Sequence, residues 1–288
     1  RGSDAVVDSL AGQGRRKRRA RPCRLNPQKS MPWNNAMNSM RENPEPSFTP
    51  RREAAFVLVP GAWCGAWCWT LVAPRLAAAG FRVYSLSLTG LADRRHLLSP
   101  AVTLETHVMD VVNLARYQDL HDVILVGHSY AGMVLTGAAE RMASRLRRLV
   151  YLDAMLPFSG ECALDLIPSE VTEQRRQLAI EHDGGVSMPV PAAGHFAVAG
   201  MREWFLEHMT PQPLQPHLDR LHLGGLPGNG VPATYVQCLP ARLPAMRLSA
   251  ERAGSLGWQM VRMDSAHNVH LHRPDDIAEL LMACARSH

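Results

Sequence analysis

Residues 122–134 read DVILVGHSYAGMV. The run 123–126 is apolar throughout, which predicts a short strand buried on both faces. It passes without a linker into Gly127-His128-Ser129-Tyr130-Ala131-Gly132, and residues 131–143 then read as a helix. A strand that turns sharply into a helix, with serine at the turn, is the setting a nucleophilic serine requires. The turn exposes the hydroxyl at the top of the sheet, and small neighbours let the helix pass close to the strand. The common pattern is Gly-x-Ser-x-Gly. Here Ala131 takes the last place, and alanine is still small.

Working outward, apolar runs at 55–60, 81–86, 146–152, 234–238 and 259–263 predict five more strands. Helical spacing is read at 69–79, with Gly80 as its cap, at 104–117 and at 274–285. Fully apolar strands alternating with helices predict an α/β fold, with a mostly parallel sheet covered by helices on both faces. Residues 157–226 break the alternation. They show no clear strand, several prolines and scattered aromatics, and are too long for an ordinary loop. They are expected to form a mostly helical cap insertion over the C-terminal edge of the sheet, where open α/β folds bind ligands. The core is then 53–156 and 227–288.

Composition narrows the classes of function. With 288 residues, 46% hydrophobic and 20% charged, the chain suits one or two ordinary globular domains. No run approaches the ~20 apolar residues of a membrane span. Residues 1–52 carry 12 Lys+Arg against 4 Asp+Glu, and the remainder 19 against 22, so the basic character belongs to the N-terminal stretch alone. Arg15 to Arg24, RRKRRARPCR, fits a nucleic-acid or localisation patch. The simpler expectation is a disordered basic extension, a tag or translated upstream sequence, with Met31, Met37 and Met40 as candidate starts. The body offers no electrostatic case for nucleic acid. Six cysteines without metal or disulfide spacing (Cys23, Cys64, Cys68, Cys162, Cys238, Cys284) read as thiols of a reducing cytosol, hence a cytoplasmic protein.

A serine nucleophile needs a base, and 13 histidines compete. His267, in Asp264-Ser265-Ala266-His267, follows the last strand and precedes the closing helix, where chain order in such folds puts the base. His128 adjoins the serine, but its side chain is expected to point elsewhere. His270 and His272 are expected at the start of the last helix, partly exposed. His107, His217 and the others read as surface, loop or cap residues.

These residues carry a resemblance. From about Ala54 to Ala285 the chain resembles the α/β-hydrolase superfamily, and more narrowly the bacterial esterases related to plant hydroxynitrile lyases and methyl-ester hydrolases. The matching segments are FVLVPGAWCGAWCW, LSLTGLADRRHLLSP, LETHVMDVVNL, VILVGHSYAGMV and LVYLDAMLP. The later segments MREWFLEHMTPQP and AHNVHLHRPDDIAELL match more loosely. The resemblance implies an oxyanion hole of two backbone amides, those of Tyr130 and Ala62, each worth roughly 3 kcal/mol in the transition state. It also implies that no cofactor or metal takes part. Where relatives have His-Gly in the loop after the first strand, this chain has Pro60-Gly61, which leaves the Ala62 amide in place.

The third member of the triad is where the chain departs from the pattern. Many relatives carry an aspartate just after the strand ending near Cys238. Here residues 239–244 read LPARLP, with Ala241 at the usual place. Two outcomes remain open. Asp153, at the end of the strand before the cap, serves as the acid, as in dehalogenase-like members of the superfamily. Alternatively, the triad is incomplete and Asp153 is structural.

The leading reading is a serine carboxylesterase with Ser129, His267 and Asp153 as catalytic residues, acting on a small to medium apolar or aryl ester through an acyl-enzyme. Trp63, Phe158 and Trp204 are the candidate pocket walls, with Phe196, Phe205 and Met209 as further possibilities. An amide or carbamate hydrolase would use the same triad, and a ligand-binding pseudoenzyme would explain an altered acid site. Cyanohydrin cleavage is disfavoured, because Asn268 and Gly61 stand where the plant lyases have lysine and threonine. The expected partner is a small-molecule ester, with no nucleic acid and no membrane, and a homodimer is left open.

Overall fold

Six strands were expected, and six form the main sheet of the computed structural model, which describes residues 54–191, 200–240 and 243–286. They are β1 (Ala55–Val59), β2 (Arg82–Ser85), β3 (Val123–His128), β4 (Leu146–Leu152), β5 (Ala233–Leu239) and β6 (Gln259–Asp264). All pair in parallel, in the order β2-β1-β3-β4-β5-β6. The N-terminal stretch 1–52, Cys23, Phe196 and Ala241 lie outside the described residues.

Every residue of β1 and β3 is buried, because helices cover both sheet faces. Alternate side chains serve the two sides. Val57, Val59, Leu125 and Tyr151 pack into one core. Phe56, Leu58, Val126 and Leu152 pack into the other. The helices α1 (Ala73–Ala78), α2 (Leu104–Tyr117) and α3 (Ala131–Met142) connect the first four strands. The helix expected over 69–79 begins only at Ala73, after a 3₁₀ turn at Ala66–Trp69. Pro74 sits in the first turn of α1, where its missing N–H costs nothing. Thr103 caps α2 by accepting the Thr106 N–H at 3.2 Å.

The cap contributes α4 (Ser169–Asp183), α5 (Arg202–His208) and α6 (Gln215–Leu218). It also holds a feature that alternation did not reveal, two two-residue strands, Ser187–Met188 and Gln212–Pro213, paired antiparallel. α7 (Pro244–Ser255), α8 (Val269–His272) and α9 (Pro274–Arg286) complete the chain. No described helix is long and apolar enough to cross a membrane.

The strand order positions the site. β1 lies between β2 and β3, so the chain leaves β1 on one side and returns on the other. The loops after β1 and β3 therefore diverge at their C-terminal ends and open a crevice, the usual ligand position in such sheets. β3 and β4 run in register, with His128 opposite Leu152. The residues that follow, Ser129 and Asp153, consequently leave the sheet side by side.

Candidate active site

The elbow after β3 is tight enough to force Ser129 into the left-handed region, at φ 55°. Its N–H donates to the Leu152 carbonyl at 3.3 Å and its carbonyl accepts the Met155 N–H at 2.9 Å, so β4 fixes the turn from one side. α3 fixes it from the other. A Cβ on Gly127 would lie 3.0 Å from Ala131 Cβ, so alanine at the last motif position fits only because Gly127 has no side chain. A Cβ on Gly132 would stand 1.8 Å from the Met155 carbonyl oxygen, which no side chain tolerates. Trp63 and Asp153 also take positive φ, 63° and 42°. Such conformations cost about 1–3 kcal/mol each and persist only where the surroundings over-determine them; three of the seven described non-glycine cases are Ser129, Asp153 and Trp63.

Ser129 Oγ lies 3.0 Å from His267 Nε2, and His267 Nδ1 lies 2.7 Å from Asp153 Oδ2. An ionised carboxylate only accepts, so Nδ1 carries the proton and Nε2 accepts from the serine hydroxyl. Asp153 is buried, with its other oxygen accepting the Cys238 N–H at 3.2 Å. It thus reaches His267 from the end of β4, the strand next to β5.

Ala62 and Tyr130 both line the cavity that holds Ser129, and each carries a backbone amide. Neither amide donates a hydrogen bond to any described residue. Two unspent N–H groups beside a nucleophile can stabilise negative charge on a carbonyl oxygen.

His128 points beneath His267, with the rings 4.5 Å apart. Its Nε2–H donates to the His267 carbonyl at 2.9 Å. Burial, reinforced by His267 and His270, holds His128 well below the ordinary imidazole value, so it stays neutral. It is a positioning residue, securing the backbone that carries the base.

Two cavities meet at the serine. The larger, about 160 Å³, is walled by Met155, Ile167, Val171, Leu243 and Met246, among others, and does not touch His267. The smaller, about 20 Å³, lies between Gly61, Cys64, Phe205, Met209 and His267.

A model of the alpha/beta hydrolase family matches residues 56–280. The chain belongs to that family. It is similar to the carbendazim hydrolyzing esterase of Nocardioides sp. (strain SG-4G), 38% identical over 239 residues that cover 80% of this chain and 99% of that protein. It is also similar to methylesterase 8 of Arabidopsis thaliana, 33% identical over 103 residues, 35% of this chain and 38% of that one. Among solved structures, an extracellular alpha/beta-hydrolase from a Paenibacillus species superposes with a TM-score of 0.70 at 24% identity, covering 82% of this chain and all of that one, a likeness of fold. This α/β hydrolase is a carboxylic-ester hydrolase, like the esterases it matches.

Of the walls read from the sequence of this hydrolase, Trp63 borders both cavities, and Phe205 and Met209 border the smaller. Phe158 does not border either: the Arg252 guanidinium covers its ring at 4.6 Å, and Arg252 is itself held by Glu161 at 2.6 Å. Trp204 does not border them either, because its ring packs edge-on against Trp67 at 5.3 Å. The histidines need a larger correction. His270 is fully buried, 4.6 Å from the Trp69 ring and 4.5 Å from His128, because α8 tucks inward before α9 begins. His107 is also buried: it accepts from the Tyr130 hydroxyl at 3.0 Å and donates to the Thr89 carbonyl at 2.9 Å. His217 is buried in the cap, stacked on Tyr130 at 4.2 Å. Sequence reading also passed over Arg175 and Gln212, the first lining the larger cavity and the second bonded to Trp63. A helix as charged as α4 gave no local sign that one arginine faces inward.

Proposed function

We propose that this esterase works through an acyl-enzyme on Ser129. The observation that carries the reading is the continuous hydrogen-bond chain Ser129–His267–Asp153 beside two unspent amides. His267 Nε2 takes the Ser129 proton as Oγ attacks the ester carbonyl, and the amides of Ala62 and Tyr130 hold the oxyanion. Asp153 keeps the Nδ1–H tautomer and stabilises the imidazolium. The imidazolium then protonates the departing alkoxide, the alcohol leaves, and a water activated by His267 releases the acid.

On this reading the two cavities take the two halves of the ester. The leaving oxygen must come within reach of His267, so the alcohol occupies the cavity that touches His267 and the acyl group occupies the other. A space of about 20 Å³ is little more than a water needs, which favours a methyl group. A space of about 160 Å³ is close to the one known to hold benzene. The substrate is then a methyl ester whose acyl group places one ring or a short chain in the larger cavity.

The test pairs labelling with an alcohol series. An organophosphonate should add its mass to Ser129 and to no other serine. Turnover should fall along methyl, ethyl and butyl esters of one acid. An unlabelled Ser129 overturns the acyl-enzyme, and a preference for butyl esters overturns the assignment of cavities.

A further inference from the structure

The larger cavity is apolar except for the groups around Ser129 and two cap residues, Arg175 and His217. Arg175 reaches it from α4, on the same helix face as Val171. Other arginines that the fold partly encloses have partners: Arg94 pairs with Asp110 at 3.1 Å, Arg252 with Glu161 at 2.6 Å, and Arg148 meets Thr234 and Gln259 at 3.3 Å. Arg175 has no hydrogen bond and no carboxylate among the described residues, only the face of the Trp63 ring at 5.5 Å. Partial burial works against its charge, and among the described residues only the face of the Trp63 ring answers it. Stacking on an aromatic face fixes the plane of a guanidinium while leaving its N–H edge unspent.

His217 stands beside it. Its side chain is buried and its Nδ1 has no hydrogen-bond partner. Burial and the neighbouring Arg175 hold it below the ordinary imidazole value. The carboxylates whose field reaches Tyr130, on which His217 stacks, are engaged elsewhere. Asp110 accepts from Thr89 and Arg94, and Asp219 accepts from the Leu104 N–H and Gln215. The neutral ring spends its Nε2–H on the Pro213 carbonyl, so its Nδ1 can only accept, and Arg175 alone presents unspent N–H groups to the apolar space beside the nucleophile.

We propose that Arg175 is a subsite for a carboxylate at the far end of the acyl group, so that the preferred substrates are methyl half-esters of small dicarboxylic acids. The inference rests on the esterase reading above and on the acyl group occupying the larger cavity. A neutral acceptor would satisfy hydrogen bonds but leave the half-buried charge unpaired, whereas a carboxylate answers both and matches the guanidinium fork bidentately. The volume leaves room for a chain of a few carbons or one ring between the scissile carbonyl and that carboxylate.

The experiment compares monomethyl glutarate with methyl pentanoate, which differ only in a terminal carboxylate replacing a methyl group, by following methanol release. The wild type should favour monomethyl glutarate in kcat/KM by about tenfold or more, the worth of one charged hydrogen bond. Arg175→Met should abolish that preference, mainly through KM, and Arg175→Lys should keep part of it. Equal or better use of methyl pentanoate by the wild type overturns the subsite and leaves the esterase reading standing. A preference that survives in Arg175→Met also overturns it. If neither ester is hydrolysed, the small-ester reading fails and the subsite with it. Should Arg175→Met fail to fold, the wild-type ratio and Arg175→Lys still decide.

Discussion

Ser129 and Asp153 each stand directly after a sheet strand, and His267 stands just beyond a third, whereas Arg175, Gln212 and His217 come from the cap. The two groups are held in different ways. The strand-end residues sit where parallel ladders run in register, and two of them are pressed into left-handed backbone by contacts from both sides. The cap residues depend on helix faces and a two-residue strand pair. The contrast suggests a division of labour. Changes at the strand ends should alter turnover for every substrate. Changes at cap residues that line the larger cavity, Arg175 above all, should alter the ranking of substrates.

The largest effect expected is at Ser129. Ser129→Ala should lower turnover by about 10⁶ with the melting temperature kept, because the oxyanion amides alone support only residual catalysis. A purified variant with near wild-type activity on methyl esters would sink the serine mechanism and remove the strand-end half of the comparison.

Asp153→Asn comes next. The amide cannot stabilise the His267 imidazolium and can favour the wrong tautomer, so turnover should fall by roughly 10³–10⁴ with KM little changed. The competing account makes Asp153 a structural carboxylate that supports Cys238 N–H. It predicts a lower melting temperature with turnover per folded molecule nearly intact. Turnover measured beside a thermal melt separates them, and a folded variant keeping more than about a tenth of normal activity rejects the catalytic role.

These two residues show how far sequence reached. Apolar strands and the elbow were legible because a strand buried on both faces has no polar alternation to obscure it. Asp153 was legible only as one of two outcomes, since choosing it requires knowing that β4 lies between β3 and β5, and strand order is not written in local pattern. His270 was read as partly exposed because it was placed at the start of the last helix, yet the turn of α8 buries it against Trp69 through contacts far apart in the chain. Arg175 and Arg176 are adjacent in α4, and no local feature distinguishes the one lining the cavity from the exposed one.

Acid tests the packing behind the strand ends. Burial holds His270 at about 3, against an ordinary value of 6.5. Between those values the unfolded chain binds a proton that the folded chain refuses, so stability is full above the ordinary value and is lost as pH falls. From pH 7 to pH 5 this one group should cost about 2 kcal/mol. His128 and His217 shift in the same direction and add to the slope. Denaturant unfolding at the two pH values should show the loss, and His270→Leu should shrink it by about the same amount. An unchanged slope in that variant would mean that the ring is hydrated in solution.

The smallest effect tests the division itself. Gln212 belongs to the cap, is buried, and accepts the Trp63 N–H at 2.9 Å. Nearby, the Thr210 N–H donates to the Trp63 carbonyl at 3.0 Å, and Thr210 Oγ1 accepts the Ala92 N–H at 3.0 Å. A cap segment thus straps the loop after β1, where Trp63 takes φ 63° and the preceding residue supplies the Ala62 amide. Gln212→Ala removes the acceptor and lets Trp63 relax toward ordinary backbone, which would swing the Ala62 amide off the oxyanion. Deleting an oxyanion donor costs about 10²–10³ in turnover, and misaligning one should cost about tenfold. The loss should fall on kcat, equally for monomethyl glutarate and methyl pentanoate, when activity is expressed per Ser129 titrated with organophosphonate. If only the ratio of the two esters changes, the cap acts on selectivity alone. If only the melting temperature changes, Gln212 is a packing residue and the strap has no part in catalysis.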